Sequence, residues 1–149
     1  MDIRTEVRDW LSTVDWDTEV TLTFANEVSQ QQAERALRHF WNRVDWDLYG
    51  HAVRRYKKRC QRMCMLQGDG LATNYHFHVI AKCPKERCHS VDEFCKLLRK
   101  HWLYDNSNNY VSTFEAIRNK IGYETYISRQ VKADNCDALI LHSSHTAAH

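Results

Sequence analysis

The sequence predicts an α+β sandwich, ferredoxin-like or RRM-like, with a central antiparallel sheet and flanking helices. Three observations predict it. Apolar residues alternate with polar ones over residues 18–25 and again over residues 74–83, the period of a strand with one buried face. Each of these segments is followed by an apolar stripe at three-four spacing, the period of a helix. Each stripe opens on a capping-box pattern, Ser29 with Gln32 and Ser90 with Glu93.

Taken in chain order, Ile3, Val7, Trp10, Leu11 and Val14 recur at helical spacing and predict a short amphipathic helix. In the first strand Val20, Leu22 and Phe24 alternate with Thr21 and Thr23. The first long helix carries Ala33, Leu37, Phe40, Trp41, Val44 and Leu48 on its inner face. A basic stretch over residues 51–62 leads into CQRMCMLQ, apolar enough for a second strand, which stops at Gly68-Asp69-Gly70. The third strand, NYHFHVIAKC, places Tyr75, Phe77, Val79 and Ala81 on one face and Asn74, His76, His78 and Ile80 on the other. These two strands are close enough in sequence to form a hairpin. Pro84 ends the third, and Val91, Phe94, Leu98 and Trp102 mark the second helix. A turn over residues 106–109, a strand over 110–116 and a helix over 119–133 with Tyr123, Ile127 and Val131 complete the prediction, and residues 137–149 read as a frayed tail.

Composition agrees with a single domain over residues 1–149. At 149 residues, 43% hydrophobic and 11% aromatic, the chain fits neither disorder nor a coiled coil. Four glycines and one proline leave little material for a flexible linker. No apolar run reaches the ~18–20 residues of a membrane span, and MDIRTEVRDW lacks the apolar core of a secretory signal, so a soluble, cytoplasmic protein is expected. Of the six cysteines none forms a CxxC pair. They are expected to be reduced, with Cys60-x3-Cys64 and Cys83-x4-Cys88-His89 matching no common zinc module.

The residue pattern with most chemical content is His76-Phe77-His78. One residue apart on a strand, the two imidazoles leave the same face and can reach one metal ion, although any HxH beside a core-directed Phe77 would do the same. In the last predicted helix Tyr126 sits ~60° away from the apolar stripe, with Arg129 and Gln130 on neighbouring positions, so it is either a functional phenol or an aromatic at the helix edge.

At these residues the chain resembles the HUH superfamily of single-strand DNA nickases, in particular the replication-initiator (Rep) nuclease domains of rolling-circle plasmids, phages and small single-stranded DNA viruses. The resemblance rests on TLTF at residues 21–24, on His76-Phe77-His78 within NYHFHVIAKCP, and on GYETYISRQVK around Tyr126, in that order. It implies a divalent cation, Mn²⁺ or Mg²⁺, held by His76, His78 and one more polar side chain. Where many Rep domains carry a carboxylate this chain has Gln67, with Asp69 as a nearby alternative. An amide oxygen binds a hard cation without contributing charge. The family often reads Tyr-x-x-Lys; here Tyr126 is followed by Arg129, with Lys132 one turn further on. The single-tyrosine transposases of small insertion sequences carry Tyr-x-x-x-Gln with the glutamine as a metal ligand, a spacing that Tyr126 and Gln130 also satisfy, so that resemblance implies Gln130 in place of Gln67 as the third ligand.

The resemblance further implies that Tyr126 attacks a phosphodiester of single-stranded DNA, a replication origin flanked by a hairpin, to give a 5′-phosphotyrosine, assisted by Arg129, Lys132 or the cation. No G-x-x-x-x-G-K-[ST] loop is present, so unwinding is expected from a host helicase acting with a host polymerase. The net charge is +2, but Arg54, Arg55, Lys57, Lys58, Arg59 and Arg62 cluster around Tyr56, a density suited to a phosphate backbone or equally to a solvated connector. A non-catalytic nucleic-acid-binding module on the same scaffold is the other reading of these features.

Overall fold

The computed structural model describes residue 9 and residues 13–68, 74–105, 109–110 and 113–117. Within them β1 (Thr18–Phe24) leads to α1 (Gln30–Tyr49) and the short α2 (Ala52–Tyr56). The hairpin strands β2 (Arg62–Gln67) and β3 (His76–Ala81) follow, then α3 (Val91–Asp105), β4 (Asn109–Tyr110) and β5 (Phe114–Ala116). The sheet order is β2-β3-β1-β4, every neighbour antiparallel, with β5 also on β1. This is the expected α+β sandwich.

Local chemistry sets the helix starts. Ser29 Oγ accepts the Gln32 N–H at 3.1 Å and the Gln32 side chain accepts the Ser29 N–H at 2.9 Å, a complete capping box. At α3 the Ser90 arm is present, but the Glu93 carboxylate accepts from His89 N–H, one residue earlier than the pattern predicts. Gly50 closes α1 at φ +54°, where its N–H still reaches Trp46 O and the chain turns directly into α2.

The core lies between the helices and one sheet face. Val20, Leu22, Cys64, Leu66, Phe77 and Val79 from the strands meet Leu37, Phe40, Trp41 and Val44 of α1 and Phe94, Leu98 and Trp102 of α3, all buried. Phe24, Phe40 and Trp102 pack edge to face with centroids 5.4–5.5 Å apart. On the other sheet face Met63 and Ile80 stand opposite each other and are buried as well, although alternation groups Ile80 with polar residues.

Two expectations are corrected. The strand predicted over 110–116 is two short pieces, β4 and β5, on successive stretches of the same edge of β1. The basic stretch contains a helical turn, α2, that its composition does not announce, ended at Lys57 in the left-handed region (φ 53°). Among the described residues Cys60, Cys64, Cys83, Cys88 and Cys95 are buried and in no disulfide. Among the described residues no helix is long and apolar enough to cross a membrane. The helices predicted over 3–14 (residues 9 and 13–14 apart) and 119–133, and the tail over 137–149, lie outside the described residues.

Candidate metal and nucleic-acid site

The strand registers bring three predicted site residues together. Gln67 stands directly opposite His76 across β2 and β3, and side chains so paired share one face at about 4.5–5.5 Å. His78 is two residues on, opposite Met65 of β2 and Thr21 of β1. The Thr21 N–H donates to Thr113 O, on the side away from β3. Thr21 and His78 therefore form a non-hydrogen-bonded pair, the closer of the two antiparallel spacings. A threonine hydroxyl thus flanks the histidines, a neighbour that needed the register to be seen.

The two rings meet edge to face with centroids 5.2 Å apart. His76 Nδ1 lies 3.0 Å from the carbonyl oxygen of Asn74. A carbonyl can only accept, so Nδ1 is the donor and Nε2 is the nitrogen left for a metal, the second-sphere arrangement typical of metal-ligating histidines. Burial, reinforced by the neighbouring His76, holds the His78 imidazole below the ordinary histidine range, which keeps it neutral and able to donate. The donor set of two imidazoles and an amide oxygen fits a divalent cation. Among the described residues no group of three or more His, Cys, Asp and Glu is positioned to hold a metal.

Tyr126, Arg129, Lys132, Gln130 and Asp69 lie outside the described residues. No protein-family model matches the chain, and no curated protein or solved structure matches it.

The basic segment divides. Arg54, Arg55, Lys57, Lys58 and Arg59 are exposed, as is Tyr56 at 75%. Arg62 is not: it is 2% exposed, its guanidinium 2.9 Å from Asp45 Oδ2 and 4.6 Å over the Trp41 ring. It is a core residue, against the expectation that it contacts DNA. A charge run in sequence looks uniformly solvated, but Arg62 opens β2, where alternation turns it towards α1. Asp45 also accepts the Cys60 N–H and lies 3.8 Å from Arg59, so one buried carboxylate pins the end of the segment. Burial pushes that carboxyl upward even against Arg62.

Along β2 the basic segment and the histidines are at opposite ends. Arg62 pairs with Ala81 and Gln67 with His76, five residues or roughly 17 Å apart at strand rise.

Proposed function

We propose that the protein is a sequence-specific single-stranded DNA endonuclease and strand transferase that initiates rolling-circle replication through a covalent tyrosine intermediate. The observation that carries the reading is the pair His76 and His78 on one sheet face, with His76 Nδ1 tied to Asn74 O and Gln67 opposite.

His76, His78 and Gln67 would hold the divalent cation, which when bound supplies positive charge against a scissile phosphate. The chain supplies the rest. The Asn74 carbonyl orients His76, and burial keeps His78 unprotonated. Tyr126, with a reference pKa of ~10, gives up its phenolic proton as its oxygen bonds to phosphorus. The bond from phosphorus to the 3′ oxygen breaks, that oxygen takes a proton, and the DNA keeps a free 3′-hydroxyl while its 5′-phosphate is esterified to tyrosine. Arg129, Lys132 or the cation would supply the positive charge that helps the phenol lose its proton. The energy of the ester is conserved, so the reverse step rejoins strands without ATP. In this reading the protein works in the cytoplasm with a host helicase and polymerase.

The test is a covalent-adduct gel with labelled single-stranded oligonucleotides, including hairpin-flanked ones, with and without chelator. A Mn²⁺- or Mg²⁺-dependent adduct that Tyr126→Phe abolishes is the expected result. No adduct across a broad library of sequences, with binding retained, favours the non-catalytic module. An adduct that survives Tyr126→Phe but not Tyr123→Phe reassigns the nucleophile.

A further inference from the structure

The outer surface of the helix layer combines exposed rings with cations. On α1, the exposed Arg35 and Trp46 and the half-buried Arg43 recur at intervals of eight and three residues, along one side of a helix of 3.6 residues per turn. Trp46 is 47% exposed and meets the His51 ring edge-on at 5.3 Å, just where α1 turns into α2. From α3, Tyr104 is 72% exposed and lies under the Arg43 guanidinium, 4.0 Å from ring centroid to carbon. Lys100, one turn earlier on α3, is exposed on the same side. Asp47, an acid on this seam, lies 2.7 Å from His101 Nε2.

The stripe connects two places already described. β1 ends at the His76 end of the sheet, because Leu22 pairs with Phe77, and α1 starts from there. Twenty residues later, about 30 Å along the axis, α1 ends beside Cys60 and Arg62, which Asp45 holds. The exposed cations of residues 54–59 follow at once. A strand that leaves the histidines and rounds the end of the sheet therefore meets Arg35, then Arg43 with Tyr104, then Trp46 with His51, and then the basic segment.

We infer that the exposed face of α1, completed by Lys100 and Tyr104 of α3, is a binding track for a single nucleic-acid strand, with Trp46 and Tyr104 as stacking platforms and Arg35, Arg43 and Lys100 on the phosphates. Stacking rings interleaved with cations suit an unpaired strand, whose bases are free to leave their neighbours. The inference shares with the proposed function its nucleic-acid ligand and is independent of the cleavage chemistry.

The experiment is fluorescence anisotropy of the full chain with a labelled, mixed-sequence, single-stranded oligodeoxynucleotide, in chelator, across a salt series. Trp46→Ala and Tyr104→Ala are each expected to weaken binding by roughly tenfold. Arg43→Ala is expected to reduce the slope of log affinity against log salt by about 0.7, the loss of one single-strand phosphate contact. Arg35→Glu with Lys100→Glu, which alters no buried side chain, must also weaken binding with an unchanged thermal midpoint. Unaltered affinity and slope in these variants overturn the track, as does tighter binding of the corresponding duplex. Wild-type protein that binds through these residues yet forms no adduct with metal defeats the nickase reading and leaves the track standing.

Discussion

The His76 ring stands edge-on to the His78 ring at 5.2 Å between centroids, and its Nδ1 is held 3.0 Å from Asn74 O. A pair fixed in this way is oriented before any ligand arrives, so each imidazole should matter separately. His76→Ala and His78→Ala are each expected to lower Mn²⁺ affinity by tenfold or more in calorimetric titration while leaving the thermal midpoint within a few degrees. Gln67→Glu, which adds charge beside His76, is expected to raise that affinity.

Asp45 and Arg62 make the opposite kind of pair, wholly inside. Asp45→Ala strands a buried guanidinium and removes the acceptor of the Cys60 N–H, and should cost about 3–5 kcal/mol in denaturant unfolding. Asp45→Leu combined with Arg62→Met, which removes both charges, should recover most of that loss. A double variant no more stable than the single one would show that the pair is not coupled.

The exposed cations Arg54, Arg55, Lys57, Lys58 and Arg59 should govern salt dependence. Replacing Lys57 and Lys58 together by Gln is expected to shrink the single-strand salt slope by about 1.4, two contacts' worth, and to weaken all sequences alike. Arg62→Gln is expected to unfold the chain more readily instead, read as a lower thermal midpoint.

Burial lifts the Cys83 and Cys95 thiols to about 11. A thiol raised in the folded state contributes stability that is complete below its ordinary value of 9.0 and is lost as pH rises through about 11. Denaturant midpoints should therefore fall between those pH values, less steeply in Cys83→Ala, Cys95→Ala protein. At pH 8 both thiols should react with iodoacetamide far more slowly in the native chain than in urea, as followed by mass spectrometry.

Much of this fold can be read from residue order because its local signals agree. The alternation in β1 and β3, the Ser29 capping box and the stripe from Ala33 to Leu48 all have short-range causes. What could not be read depends on long-range pairing. Nothing near His78 in sequence says that Thr21 will face it, and nothing near Gln67 says that it will oppose His76 and not fall one residue out of step; register is fixed by how the whole hairpin and β1 dock. Arg62 misleads for the same reason, since its burial depends on a carboxylate seventeen residues away. Tyr126, Arg129 and Lys132 rest on pattern alone.

Among the described residues the far edge of the sheet consists of Asn109–Tyr110 and Phe114–Ala116, two short stretches. An incoming chain seeking to extend the ladder would find there stretches of only two and three residues of strand. Such a rim offers poor templating for cross-chain polymerisation, so the apolar central strands can carry their histidines without inviting fibril growth from this side.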